Sequence, residues 1–351
     1  MIKIIKGFVR NVFIFLVLLG VVILVYIFSD SIFKYIIHGK SFYQVYLGDK
    51  DYKKGNYPEA IEHYNKAIKL YPKHTKARYN LANIYVAFED YQSAIGEYKK
   101  VLKYKPDYLN ARISMGIIYA EELLEFDEAI KQYQKVVDTK TRFINIPLIY
   151  DNKRYVMNTK AIAYYNMGLA YRDKSMLFTE NSSRFRKLLS NAVEAYKKSL
   201  VLKSDNYSAQ FNLALTKHLM GHYSEALAGY CKALLISPLD YEAHYNLAVL
   251  LREKRMYKPA FEEFKNAGAL MDYTGDTYRA AYIYSMLSEV SQMAMAEYGY
   301  TSKDLLNKLD EELKEEGSLT EARSYTLKDM EKNLIKRIKT DSICKEYLDR
   351  F

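Results

Sequence analysis

Between residues 207 and 272 one pattern is written twice, 34 residues apart. Phe211-Asn212-Leu213-Ala214 is followed by Tyr223, Ala226, Tyr230 and Ala233, and Tyr245-Asn246-Leu247-Ala248 by Tyr257, Ala260, Phe264 and Ala267. Small and apolar residues recur at helical spacing on both sides of a turn, so each copy reads as two short amphipathic helices forming a hairpin. Such a hairpin leaves one apolar face open, and only a neighbouring copy covers it. A chain with this period builds its core by stacking hairpins rather than around one centre.

The pattern extends towards the amino terminus. A small residue of the first helix recurs at Gly48, Ala82, Gly116, Gly168, Ala214 and Ala248. An alanine of the second helix recurs at Ala60, Ala94, Ala129, Ala192, Ala226 and Ala260, and an aromatic four residues later at Tyr64, Tyr98, Tyr133, Tyr196, Tyr230 and Phe264. Small residues are expected where two helix axes approach closely. Gly55-Asn56-Tyr57, Glu89-Asp90-Tyr91, Glu125-Phe126-Asp127 and Gly221-His222-Tyr223 supply turn residues with an aromatic plug, and Pro72, Pro106 and Pro238 end second helices.

At these residues the chain resembles the tetratricopeptide repeat family, although Asp272 replaces the closing proline of the last copy. The resemblance implies an all-α α-solenoid of six tetratricopeptide helical hairpins over residues 41–274, followed by a C-terminal helical extension over 275–351. The small residues of the third, fourth and fifth hairpins are 52 and 46 residues apart instead of 34, which places insertions at about 142–160 and 173–190. The first, with Phe143, Ile144, Ile146 and Pro147, reads as an extended loop, and the second as a lengthened turn. Residues 278–297 read as a capping helix with an apolar stripe at Tyr278, Tyr282, Leu287, Val290 and Met293. A further helix ending at Gly317 carries Leu306, Leu309 and Leu313, and another from Thr320 carries Tyr325, Leu327, Met330, Leu334 and Ile338. Acidic 310–316 and basic 328–339 give this tail a segregated charge.

Residues 1–40 read as an N-terminal transmembrane signal anchor with its linker. Lys3, Lys6 and Arg10 precede an unbroken apolar run over 12–28, and with Phe8 and Val9 the membrane helix spans about 8–28. Seventeen residues make about 25 Å of helix, close to the hydrocarbon thickness. The run is too long for a cleaved signal peptide, and the positive amino end places the repeats outside the cytoplasm, at the periplasmic side of an inner membrane.

The formal charge of +10 includes +4 from residues 1–40, where five Lys/Arg face one acid, and the rest is dispersed. No nucleic-acid partner is expected. Cys231 and Cys344 are too few for a disulfide framework or zinc site; Cys231 fits a small buried thiol, and a bridge between the two would require the tail to fold back onto the fifth hairpin. No phosphate-binding loop, zinc-protease motif or nucleophile elbow occurs. His218 and His222 have metal-ligand spacing, but Gly221 interrupts the helix, so no metal, no cofactor and no enzyme activity are expected.

Helical spacing turns a second set of residues towards the concave face that the resemblance implies: Tyr79, Asn80, Asn83, Tyr165, Asn166, Phe211, Asn212, Tyr245 and Asn246, with Arg172, His218 and Arg252 one turn later. Asparagines can both donate to and accept from an extended backbone, and the rings offer apolar pockets. These residues are the expected peptide-binding groove, although aromatic-Asn pairs are also common in the family's average repeat. Val45 and Asp49 stand where the family's chaperone-docking modules need Lys and Asn, so that activity is not implied. The expected function is a membrane-anchored scaffold that binds proteins or peptide segments within a multi-protein complex of the cell envelope. Composition and topology resemble bacterial envelope proteins, among which the periplasmic flagellar collar of spirochaetes is a specific instance. The alternatives are a cytoplasm-facing adaptor docking chaperones or clients, and an accessory subunit of an envelope enzyme.

Overall fold

A computed structural model describes residues 2–140, 145–146, 150–298, 327–340 and 343–348. The chain divides into two compact units, Met1–Leu123 and Leu124–Phe351. In the first, α1 (Ile2–Lys53) packs on α2 (Tyr57–Leu70), followed by α3 (Thr75–Ala87), α4 (Tyr91–Tyr104) and α5 (Leu109–Ile117). In the second, α6 (Phe126–Val137) packs on α7 (Asn152–Ser175), and the stack continues through α8 (Ser183–Leu202), α9 (Tyr207–Leu219), α10 (Tyr223–Ile236), α11 (Tyr241–Glu253), α12 (Tyr257–Thr274) and α13 (Thr277–Tyr298). Helices α14 (Leu327–Thr340) and α15 (Ile343–Leu348) return onto α10.

The core follows the period. All six aromatics of the second helices are at most 1% exposed, and all six alanines are fully buried. A Cβ built on Gly48 would lie 2.7 Å from Tyr64 Cε1, and one on Gly168 2.5 Å from Tyr196 Cε1, so the ring of the second helix fills the space the small residue leaves. A polar pair at a fixed separation of 19 residues joins the two helices of four hairpins: Gln44 with His63, Arg78 with Glu97, Gln210 with the Gly229 carbonyl, and His244 with Glu263. Arg78, Arg112 and His244 also donate to the carbonyls of Pro72, Pro106 and Pro238, six residues earlier. Each of these three first helices is thereby tied to the turn that leads into it.

The turn before each second helix holds one residue in the left-handed region: Gly55, Glu89, Leu124, Asn181, Gly221 and Arg255. From Gly116 to Ala129 the third hairpin is one residue longer than the regular 12. The π-helical turn Ile118–Glu122 takes up that extra residue.

Several expectations change. Part of each insertion is helix rather than loop. A two-residue antiparallel pair, β1 (Asn145–Ile146) with β2 (Tyr150–Asp151), precedes α7, which begins at Asn152 inside the expected loop. The second insertion lengthens α7 to 24 and α8 to 20 residues, leaving a short turn. Without a closing proline α12 runs on past Asp272 and ends at Gly275, φ 82°. The capping stripe is rotated: Ala280, Ile283 and Val290 are buried, with Leu287 half-buried, whereas Tyr278 is 85% exposed and Met293 also faces out. Ala280, Ile283, Leu287 and Val290 hold the stricter three-and-four spacing, which wins over ring size.

Cys231 and Cys344 are not free thiols but form a disulfide. The tail folds back as the bridge demands, burying Leu334 and Ile338 and pairing Arg337 with Glu262 and Glu263. The expected helix with Leu306, Leu309 and Leu313 lies outside the described residues, as do Tyr325, Phe143 and Ile144.

Helix α1 continues without a break from the apolar run into the first hairpin, so no separate linker intervenes. Among the described residues no helix is long and apolar enough to cross a membrane. Side chains of the expected span are described over 14–23, where Phe15, Leu18 and Val22 are exposed, and its remainder lies outside the described side chains.

Candidate groove on the first helices

In the first unit the expected residues converge. Asn80 and Asn83 line a cleft of about 240 Å³ with Asp49, Tyr52, Lys53 and Tyr64. Asp49 follows Gly48 as Asn83 follows Ala82, so a carboxylate stands one repeat before an amide. It accepts from Tyr64 OH at 2.9 Å, Asn80 Nδ2 at 2.7 Å and Lys76 Nζ at 2.6 Å. Burial and the neighbouring Asp49 carboxylate push the Tyr64 phenol above its ordinary range, which keeps it a donor. Asn83 accepts from Tyr98 OH at 2.5 Å, and Tyr79 packs against the Tyr98 and Tyr108 rings. The cleft is anchored from below by second-helix phenols, while Tyr52 is 40% exposed at its edge.

In the second unit the expected residues bridge successive helices. Arg172 of α7 donates to Asn212 of α9 and also holds Asp173. His218 of α9 meets Glu253 at the end of α11 at 3.0 Å, and Arg252 reaches Glu289 of α13 at 3.3 Å. Asn212 is 9% exposed and donates to the Ser208 carbonyl, so both ends of its amide are engaged within the fold. Asn246 donates back to Glu242 O at 2.7 Å. Phe211 is buried between Tyr207 and Tyr230, and Tyr165 packs on Tyr196. Tyr245 lies against Phe264 and Tyr282, and burial together with the Tyr282 hydroxyl raises its phenol to about 12. Asn166 is half-buried and makes no side-chain hydrogen bond among the described residues.

The sequence singled out these residues but not their acidic partners Asp49, Glu253 and Glu289. Asp49, Glu253 and Glu289 each sit in or beside the register of a residue already singled out, and charge at those positions was the available signal. Among the described residues no group of three His, Cys, Asp or Glu is placed to hold a metal ion.

Models of the TPR repeat and the tetratricopeptide repeat match residues 48–87 and 75–108, which include the cleft's Asn80 and Asn83. Among solved structures, PilF of Pseudomonas aeruginosa is 17% identical with a TM-score of 0.52, over 72% of this chain and 98% of that one, and shows the shared helical-repeat fold. A MamA structure is 23% identical over 57% of this chain and 92% of its own, TM-score 0.44. YrrB, described as a TPR protein with an unusual peptide-binding site, is 17% identical over 64% and 99%, TM-score 0.45. Those two scores are too low to define a common architecture. No curated protein sequence matches the chain.

Proposed function

We propose that this chain of tetratricopeptide repeats is a non-enzymatic scaffold, anchored in a membrane by its N-terminal apolar run, that holds a segment of a partner protein on the first helices of its hairpins. The observation that carries this reading is the cleft of Asp49, Tyr52, Lys53, Asn80 and Asn83. It combines a fixed carboxylate, two amides and an exposed ring on one rigid face. Amides and a carboxylate held by buried phenols are suited to a peptide backbone and a donor-bearing side chain, because the orientation is set before the ligand arrives. A lysine clamp for an acidic tail is absent, since Asp49 occupies its heart and Val45 is buried.

The Cys231–Cys344 bridge supports the extracytoplasmic orientation, because disulfides persist in oxidising compartments. The positive amino end of α1 supports the same side. Within this reading the scaffold organises a cell-envelope assembly, of which the flagellar collar is one instance.

The test is a photo-crosslinker at Tyr52 in intact cells. A discrete protein adduct is expected, lost when Asn80→Ala and Asn83→Ala are combined; an adduct unchanged in the double variant would sink the cleft. Orientation is read separately from Lys73→Cys, an exposed position. Labelling by an impermeant maleimide only after the inner membrane is opened would reverse the topology.

A further inference from the structure

Five of the six left-handed turn residues are glycine, asparagine or charged; the sixth is Leu124, φ 54°. A leucine gains nothing from that conformation, and here it gains nothing from burial either, being 65% exposed. Leu177, in the turn that the second insertion leaves between α7 and α8, is 67% exposed. The two line one cleft of about 300 Å³, with Phe126, Glu125, Asp127 and Glu128 around it and Lys174 at its edge. Lys174 pairs with Asp127, and Lys131, from outside the cleft, pairs with Glu128 at 2.8 Å. Glu125, beside Leu124, makes no ion pair among the described residues and is exposed.

We infer that this cleft is a second docking site, for a partner segment that presents a large aliphatic side chain next to a lysine or arginine. The apolar space accepts the aliphatic group between Leu124 and Leu177, and the unpaired Glu125 carboxylate meets the cation. Two features independent of each other bring the leucines there: a strained apolar turn residue and an insertion that ends in an exposed Leu. Neither contributes to the hairpin core. An acidic partner or an anionic lipid surface is disfavoured by three carboxylates against one ammonium on the cleft wall.

The test uses the full chain in nanodiscs of neutral lipid, with empty nanodiscs as blank. The probe is a fluorescent 14-residue amphipathic helix of leucine and lysine, and its twin carries glutamate for lysine. The lysine peptide binds and the twin does not. Leu124→Gly, Leu177→Ser and Glu125→Lys each weaken binding about tenfold, the scale of one lost buried anchor or one reversed contact. Leu124→Gly is the decisive variant, because glycine suits the turn, as Gly55 and Gly221 do, and leaves melting unchanged or higher. Asn80→Ala leaves this binding intact, which separates the site from the first-helix cleft. The inference is overturned if the three variants keep wild-type affinity, if the glutamate twin binds equally, or if the chain ignores the peptide and instead self-associates through Leu124.

Discussion

Reduction of the Cys231–Cys344 bridge should destabilise this fold strongly. The bridge spans 113 residues, and closing a loop of that length removes about 5 kcal/mol of conformational entropy from the unfolded chain. The figure is an upper value for the folded protein, because a compact unfolded chain has less entropy to lose. Both cysteines lie in the unit Leu124–Phe351, and for a unit of that size one kcal/mol corresponds to about 2–4 °C, so its melting should fall by about 10–20 °C in reductant. The non-covalent grip of the tail is modest by comparison: Leu334 and Ile338 are buried, and Arg337 pairs with Glu262 at 3.3 Å. Without the bridge, α14 and α15 should therefore open before the hairpins do. The assay is thermal melting of the whole chain with and without reductant, with Cys344→Ser as the control, alongside limited proteolysis. Cleavage should appear first within residues 327–348, and Cys344→Ser should match the reduced wild type and ignore reductant. Two titratable thiols in the unreduced, denatured protein, or a melting shift under about 2 °C, would refute the reasoning.

Three further outcomes follow from other parts of the fold. Gly168→Val should lower stability by about 1–3 kcal/mol, because any Cβ there meets the fully buried Tyr196 ring at 2.5 Å; a melt within error of wild type would show that the ring yields freely. Asn212→Ala should cost about 1–2 kcal/mol and Asn246→Ala less than about 0.5, since only the former is buried and bridges two helices. Burial opposes ionisation of Glu263, but the His244 charge and hydrogen bond, with Arg337, outweigh it and hold the carboxyl below its ordinary value. A depressed carboxyl stabilises above its unfolded pKa and loses that contribution as pH falls through the lower folded one, so tail protection from hydrogen exchange should weaken below about pH 4. Glu263→Gln should flatten that dependence, and an unchanged profile would remove the pair from tail docking.

What the sequence made legible is whatever the 34-residue period repeats. Tyr64 through Phe264 and the small residues opposite them follow it hairpin by hairpin, and all are core. The polar ties obey it too: Gln44 and Arg78 are spaced by 34, as are Gln210 and His244, so their partners 19 residues on were readable in principle. What escaped are contacts made once. Cys344 meets Cys231 and Arg337 meets Glu263 across 113 and 74 residues, and no local pattern encodes a single long-range encounter. The groove lies between these cases. Its asparagines follow the period because the helix face does, yet their partners differ at each step: Asp49 for Asn80, Tyr98 for Asn83, Arg172 for Asn212, the helix's own backbone for Asn246. A repeated residue type thus serves structure in one hairpin and keeps a cleft open in another. The distinction is set by the non-repeating neighbour, and on the proposed function the partner-binding role of the first-helix face falls to Asp49, Asn80 and Asn83 rather than to the two copies in which the period is clearest.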